Sequence, residues 1–180
     1  MKKGIIQIFL SNVIFLIFGV LNNFILPKYL SVDSYAMLKT YMLYISYASL
    51  LGFGFIEGIF LIYGGKTLEQ SSELEFGEKF KTYIWIELVV ALLLLVFGVV
   101  YSSSLIILCA FGIFVTNIVN YFKNFVMAIA EYKLYSIANS FEKISLFLFN
   151  AILIFQLKSD NYRYYIFVLL LIGIVESIYF

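Results

Sequence analysis

The apolar positions of this chain fall into six long runs that are separated by short polar stretches. A helix that spans a membrane needs about 20 mainly apolar residues. The runs also lack the strict two-residue alternation of a transmembrane barrel strand. The pattern therefore predicts six membrane-spanning helices, placed at Gly4–Leu26, Tyr35–Tyr63, Thr82–Tyr101, Leu105–Ala130, Ser136–Leu157 and Tyr162–Phe180.

Two of these boundaries rest on single features. The serine-rich stretch Tyr101–Ser104 must form the turn between the third and fourth spans, because without it an apolar run of about 45 residues would be too long for one span. The sixth run reaches Phe180 with no polar anchor behind it. We therefore expect the chain to be one part of a longer protein, cut at this point.

Composition places the chain in the membrane and narrows its chemistry. It is 63% hydrophobic and only 13% charged, which is far from a soluble domain. It has one cysteine, Cys109, and no histidine, which argues against disulfides, Cys/His zinc sites and histidine-based catalysis. The net charge of +1 gives no reason to expect nucleic acid as a partner. We predict a protein that is not an enzyme and needs no cofactor.

The lysines and the arginine that flank the spans indicate the orientation. Basic residues are in excess in cytoplasmic loops of membrane proteins. With a cytoplasmic N-terminus, six lysines flank the inner side, against three basic residues on the outer side. The inner residues are Lys2, Lys3, Lys66, Lys79, Lys81 and Lys133, and the outer ones are Lys28, Lys158 and Arg163.

Polar residues inside the fourth span recur at helical spacing. Asn117, Asn120, Lys123 and Asn124, together with Thr116, lie on one helical face. Such a face in a membrane helix must meet another helix or a water-filled cavity. The first span repeats the pattern more weakly, with Gln7, Ser11 and Asn22 close to one face.

The second span carries an acid, Glu57, between Gly54 and Gly58. A buried acid in an apolar helix indicates a site or a pathway by default. Lys39 lies 18 residues earlier, so a continuous helix would place it on the same face, five turns away. The glycines fit either close helix packing or an unwound transporter helix.

Charged residues near the predicted cytoplasmic ends of the spans suggest a mixed-charge vestibule. They are Glu57, Glu87, Lys123, Glu142 and Lys143. Its lysines could meet a phosphate as point charges. The alternative is that these side chains extend to the interface and pair with one another. The candidate substrate-binding residues of a central cavity are Lys123, Asn120, Asn117, Asn124, Lys39, Glu57, Lys143, Glu142 and Asn22.

Three stretches carry a family resemblance. They are LPKYLSVDSYA after the first span, GFGFIEGIFLIYGGK in the second, and NYFKNFVMAIAEYKLYSIANSFEKI joining the fourth and fifth. In their order and spacing they resemble the polysaccharide flippases (O-antigen, Wzx-type) of the MOP superfamily, which also includes the MATE antiporters. Two positions depart from that pattern: Ala36 follows Tyr35 where glycine is usual, and Glu57 stands where aspartate is common.

The resemblance implies a specific fold and function. Such proteins have two helical lobes around a central cavity that opens alternately to either side, and this chain matches only the N-terminal lobe. They carry an undecaprenyl-diphosphate-linked oligosaccharide across the bacterial cytoplasmic membrane for O-antigen, capsule or exopolysaccharide biosynthesis, often with a coupling cation. The expected partners are therefore this lipid-linked oligosaccharide, membrane lipids and a coupling cation.

Other functions stay open at this point. A MATE-like small-molecule antiporter or a lipid II flippase would differ mainly in substrate. A membrane-embedded transferase or polymerase would need a large outer loop or a cytoplasmic catalytic segment, and the outer loops are short. A non-transporting scaffold subunit would bury the Thr116–Asn124 face against a partner helix and leave no cavity.

Overall fold

The computed structural model describes residues 2–66 and 73–179, and over these ranges the chain is an all-α, multi-pass membrane protein. Five of its helices are long and apolar enough to cross a membrane, and two shorter pieces together form a sixth, broken candidate. The helices are α1 (Lys2–Tyr29), α2 (Val32–Ser46), α3 (Phe55–Tyr63), α4 (Glu73–Val100), α5 (Ser104–Ala128), α6 (Tyr132–Phe155) and α7 (Tyr162–Tyr179), with a short 3-10 helix at Ala48–Gly52 between α2 and α3. The end of the predicted sixth span, Phe180, lies outside the described residues.

The second predicted span is broken. Helix α2, the 3-10 helix and α3 share its length, and the interruption falls at Phe53 and Gly54, whose φ angles are +48° and +78°. Glycine adopts a left-handed conformation readily, whereas phenylalanine does so only under local constraint. The five-turn relation between Lys39 and Glu57 is therefore wrong, because it assumed one continuous helix.

Helix α4 begins at Glu73, well before the predicted start at Thr82. The residues added at its N-terminal end mix charged side chains with apolar ones such as Phe76 and Phe80, so a count of continuous apolar residues does not include them. Glu87 consequently lies near the middle of α4, about 20 Å along the helix from its first residue. Helix α6 also starts early, at Tyr132, which moves Glu142 and Lys143 about 15 Å from its beginning. The prediction that these three side chains lie within two turns of a helix end is wrong.

The predicted serine turn between the third and fourth spans is confirmed. Ser102 adopts a left-handed conformation, and Ser103 caps α5, its Oγ accepting a hydrogen bond from Ile106 N at 3.4 Å. Gly98 lets the end of α4 approach the start of α5 closely. A Cβ atom placed on Gly98 would lie 2.8 Å from Ile107 Cγ1 and 3.0 Å from Ile107 N.

The chain divides into two compact units. The first contains α1, α2 up to Leu43, α6 and α7. Here α1 and α6 pack side by side and run in the same direction, with edge-to-face ring pairs between Phe18 and Phe147 and between Tyr29 and Phe155, each with centroids 5.3 Å apart. Helix α7 packs against α6.

The second unit runs from Tyr44 to Glu131. Its frame is the hairpin of α4 and α5, and both the 3-10 helix and α3 pack against α5. The interior is rich in aromatic side chains. Tyr83 and Tyr121 stack with centroids 5.0 Å apart, and Tyr63 meets Phe125 edge to face at 5.2 Å.

Candidate functional site

The most deeply buried polar pair in the second unit is Glu87 of α4 and Asn117 of α5, both 0% exposed. Asn117 Nδ2 donates one hydrogen bond to Glu87 Oε2 at 2.8 Å and a second to the Ala48 carbonyl oxygen at 3.0 Å. One amide therefore ties α4, α5 and the 3-10 helix together. We call Tyr83, Glu87, Asn117 and the Ala48 carbonyl the Glu87 cluster.

The interrupted span brings a backbone carbonyl into the cluster. Ala48 is the first residue of the 3-10 helix, and a carbonyl oxygen has a second lone pair that can accept a donor from outside the helix. In lipid, backbone polar groups find their partners within the protein. The side chain of Asn117 is such a donor to Ala48.

Several oxygen atoms of the cluster keep unused hydrogen-bonding capacity. Asn117 Oδ1 and Glu87 Oε1 are buried and accept no hydrogen bond of ordinary geometry, although the Tyr83 hydroxyl lies close enough to the Glu87 carboxylate to interact with it. Tyr83 donates a long hydrogen bond, 3.5 Å, to the Asn117 carbonyl oxygen. Tyr83 Oη and Glu87 Oε1 both face Gly52, since a Cβ placed there would lie 3.2 Å and 3.7 Å from them.

The burial and hydrogen bonding of these oxygen atoms determine what the cluster can bind. A buried carboxylate without a compensating charge costs several kcal/mol. Among the residues that the structure describes, no basic side chain forms an ion pair with Glu87. Ionised carboxylate and amide oxygens are hydrogen-bond acceptors. The cluster is therefore suited to hold a proton on Glu87 or a small cation among its oxygens.

The remaining polar residues of α5 lie on one face of a continuous helix, but they bond differently from Asn117. Asn124 Nδ2 donates to the Asn120 carbonyl oxygen at 2.8 Å, within the same helix, and both side chains are half-buried. Lys123 is buried close to the C-terminal end of α5. The side chain of Asn117, by contrast, bridges α5 to α4 and to the 3-10 helix.

In the first unit, Asn22 takes part in helix packing. Its Oδ1 accepts a hydrogen bond from Asn150 Nδ2 at 3.1 Å, and three turns earlier Asn139 Nδ2 donates to Asn12 Oδ1 at 3.3 Å. These two amide pairs join α1 to α6. Interhelical hydrogen bonds of this kind stabilise membrane bundles by about 0.6–2 kcal/mol each.

The charged candidates of the first unit have nearby partners. Lys39 Nζ donates to Asn23 Oδ1 at 2.7 Å and lies 5.4 Å from the centroid of the Tyr35 ring. Lys143 and Glu142 form an ion pair at 2.7 Å. Lys143 Nζ also lies 4.3 Å from the centroid of the Phe15 ring on α1, so this ammonium group is held by both an acid and a ring.

The sequence predicted that Glu57 is a buried acid, and this prediction is wrong. Glu57 is exposed, in the first turn of α3 after Gly54, where a carboxylate interacts favourably with the N-terminal end of the helix dipole. Among the described side chains of this unit, the acid that is fully buried is Glu87, which the sequence pattern placed in the vestibule and not in the cavity. The signal that could have revealed it is the glutamate and lysine residues before Thr82, which are good helix formers and fit a longer α4 with Glu87 near its middle.

An open cleft of about 240 Å³ lies beside the interrupted span, next to the Glu87 cluster. Tyr121 belongs to the cleft wall and stacks on Tyr83 of the cluster. The lining is mainly apolar and aromatic, with one basic side chain. It consists of Phe53, Gly54, Phe55, Gly58, Ile59, Ile62, Tyr63, Lys79 and Tyr121.

Comparison of the chain with family models, with curated proteins and with solved structures gives no match.

Proposed function

We propose that this chain is the N-terminal lobe of a MOP-type transporter, with its N-terminus in the bacterial cytoplasm. Its substrate in this proposal is an undecaprenyl-diphosphate-linked oligosaccharide, which it moves from the inner to the outer leaflet of the cytoplasmic membrane. No covalent bond is made or broken in this process. A bundle with polar side chains inside several spans is suited to shield a sugar headgroup from lipid.

The Glu87 cluster carries the proposal. A wholly buried carboxylate in the middle of a membrane helix is costly and marks a functional site by default. Here it is tied by Asn117 to the interrupted span, and discontinuous helices are where transporters bind substrates and ions. A proton or cation taken up by Glu87 would change the bonding of the 3-10 helix, which links ion binding to movement of the span.

The substrate class rests on the family resemblance. Lys123, a lysine inside the fourth predicted span, is the proposed partner of the diphosphate. It is buried and shares its helix face with Asn120 and Asn124, whose amides could bond sugar hydroxyl groups. Lysine binds a phosphate as a point charge and so suits a mobile substrate.

Two observations favour other functions. The Glu87 cluster fits an ion-coupled small-molecule antiporter equally well. In either protein the cluster would bind the coupling ion, so it carries no information about the transported substrate. The amide pairs between α1 and α6 favour a scaffold subunit, since polar residues that bond between helices stabilise a bundle without any transport. A lipid II flippase differs from the proposed function only in its substrate.

A translocation assay separates these functions. The protein expressed from its complete reading frame is reconstituted in vesicles that contain a fluorescent polyprenyl-diphosphate oligosaccharide, and access of a quencher reports on leaflet exchange. We expect faster exchange than in empty vesicles. Uptake of a small organic cation without lipid exchange would favour the antiporter, and folded protein that moves neither substrate would favour the scaffold.

A further inference from the structure

One side of α1 is polar although it lies inside a membrane span. It carries Asn12 and Asn23, which are both exposed and stand three helical turns, about 16 Å, apart on the same face. Asn12 lies about 15 Å after the start of α1 and Asn23 about 9 Å before its end, so both fall within a hydrocarbon layer of about 30 Å. We call the face formed by Asn12, Gly19 and Asn23 the α1 strip.

The hydrogen bonds of the two asparagines determine which amide atoms remain for other partners. Lys39 Nζ donates to Asn23 Oδ1 at 2.7 Å, and because an ammonium group cannot accept, the amide atom that faces it must be the oxygen. Asn12 Oδ1 accepts from Asn139 Nδ2 at 3.3 Å. Over the described part of the chain, neither Asn12 Nδ2 nor Asn23 Nδ2 donates a hydrogen bond. Each exposed asparagine therefore keeps a donor group for a partner outside the first unit.

The buried asparagine pair next to the strip also keeps hydrogen-bonding capacity. Asn22 Oδ1 accepts from Asn150 Nδ2, whereas Asn22 Nδ2 and Asn150 Oδ1 have no hydrogen-bond partner. The two residues are only 6% and 3% exposed. One amide donor and one amide acceptor thus remain beside Asn23. A hydroxyl group complements such a pair, because it both donates and accepts.

The charged groups near the strip are engaged within the first unit. Lys143 of α6 forms an ion pair with Glu142 at 2.7 Å, and its Nζ lies 4.3 Å from the centroid of the Phe15 ring on α1. The ammonium group of Lys39 is directed at the Asn23 amide. The strip therefore presents mainly neutral amide groups.

An exposed amide inside a span is unfavourable against lipid. Polar side chains in membrane helices face the bundle interior or a water-filled cavity. Gly19, between the two asparagines, adds open space, since a Cβ atom placed there would meet nothing within 4 Å. The strip therefore has both the polarity and the room to lie against water.

We propose that the α1 strip lines a water-filled path and binds hydroxyl groups of a carbohydrate. Amides and hydroxyl groups each donate and accept, so a row of asparagines matches a ligand with many hydroxyl groups better than a single ion. A strip about 16 Å long has room for more than one sugar ring. The identity of the ligand rests on the proposed function, whereas the exposure of the strip to water does not.

Cysteine labelling tests the exposure to water. In the protein expressed from its complete reading frame, Cys109→Ala is combined with Asn12→Cys or Asn23→Cys, and the variants in lipid nanodiscs are treated with a charged maleimide. We expect both to react at least about tenfold faster than Val13→Cys and Phe24→Cys, because a thiol ionises to its reactive form only where water reaches it. These controls lie at the same depths on the apolar side of α1. Equal rates at the four positions would overturn the inference.

Gly19→Cys reads the same exposure without removing either asparagine. It keeps the hydrogen bonds to Lys39 and Asn139, so it serves even where the asparagine variants do not fold. Ile17→Cys is its control on the apolar side of the helix. We expect fast labelling at position 19 and slow labelling at position 17. Slow labelling at both would show that lipid or another helix covers the strip, and would overturn the inference.

Protection from labelling tests the ligand. The reaction of Gly19→Cys is measured with polyprenyl-diphosphate oligosaccharide, with the free oligosaccharide, and with polyprenyl diphosphate that carries no sugar. We expect the lipid-linked oligosaccharide to slow labelling about fivefold or more near saturation, and the sugar-free lipid to have no effect. Additional slowing by the free oligosaccharide would also support the inference and would assign recognition to the sugar alone. Equal slowing by the sugar-free lipid, or no slowing by either sugar, would overturn it.

The translocation assay on the same protein distinguishes this inference from the proposed function. Translocation by the parent protein without labelling of the strip would overturn the inference and leave the proposed function in place. Labelling with protection by sugar, but without translocation, would support the strip as a carbohydrate site and contradict the proposed function.

Discussion

Asn117 and Asn124 lie two turns apart on the same helix, yet their bonding differs. Asn117 donates two hydrogen bonds to other elements, whereas Asn124 bonds to the backbone of its own helix. At the scale of single residues, burial and the identity of the acceptor therefore decide what a polar side chain contributes. Residue type and spacing alone do not.

Replacing each asparagine by leucine tests this difference. Asn117→Leu would leave Glu87 Oε2 and the Ala48 carbonyl without their donor, and we expect the free energy of unfolding to fall by about 2–4 kcal/mol. Asn124→Leu should cost less than about 1 kcal/mol. Reversible unfolding in mixed detergent micelles measures both. Equal losses would show that the bridging role of Asn117 adds nothing.

The Glu87 side chain gives a second test at this scale. Glu87→Gln keeps an oxygen that accepts from Asn117 and removes the possibility of a buried negative charge. We expect the free energy of unfolding to stay within about 1 kcal/mol of the parent protein or to rise. The same micelle titration measures it. A large loss of stability would contradict a role as a proton or cation site and would point to a purely structural carboxylate.

At the scale of elements, glycine positions decide where helices can approach one another. Gly98→Ala would bring a Cβ atom against Ile107, including its backbone nitrogen at 3.0 Å, and should lower the free energy of unfolding by about 1–3 kcal/mol. Gly19→Ala is the control, because a Cβ there meets nothing within 4 Å. It should leave stability unchanged or raise it slightly. If both variants behaved alike, the close approach of α4 and α5 would not be real.

The start of α2 is capped from the turn before α7. Asp160 Oδ1 accepts a hydrogen bond from Ser31 N at 2.7 Å, and Ser31 Oγ accepts from Ser34 N. The hydrogen bond from the Ser31 backbone holds the pKa of the Asp160 carboxyl below its usual value. Because this pKa is lowered in the folded state, the stabilisation is complete above the pKa of the unfolded chain and is lost as the pH falls through the lowered value.

Asp160→Asn makes that pH dependence measurable. The melting temperature of the parent protein should exceed that of the variant by a constant amount above about pH 4, the ordinary pKa of aspartate. The difference should shrink at lower pH as Asp160 becomes protonated. Thermal melts of both proteins in the same detergent and buffers would show this. A difference that does not change between pH 7 and pH 3 would contradict the capping role.

Some features of these helices could be predicted from the sequence, and others could not. The polar face of α5 and the turn at Ser102 and Ser103 were predictable, because both depend on neighbours in sequence. The break at Phe53 and Gly54 was one of two alternatives that the glycines left open, and the hydrophobic pattern could not decide between them because it runs through the break unchanged. The bond between Asn117 and Glu87 joins residues 30 positions apart, and no periodicity within one helix can select such a partner.

At the scale of the whole molecule, each compact unit is held together by a few polar contacts inside an apolar bundle. In the first unit, two asparagine pairs fix α1 along α6. In the second, the Glu87 cluster fixes the interrupted span on the α4–α5 hairpin. Each unit also buries a carboxylate, Glu176 of α7 in the first and Glu87 in the second. Glu87 differs in that Asn117 joins it to the interrupted span, and the proposed transport function depends on that connection.

The most direct measurement compares lipid-linked oligosaccharide translocation by the parent protein, Glu87→Gln and Glu57→Gln in the vesicle assay. Each substitution removes one carboxylate. Glu87 is fully buried at the interrupted span, whereas Glu57 is exposed. We predict that Glu87→Gln lowers the rate roughly tenfold or more, as expected when ion binding is uncoupled from movement, and that Glu57→Gln leaves it nearly unchanged. Equal rates for Glu87→Gln and the parent protein would contradict the assignment of Glu87 as the functional carboxylate.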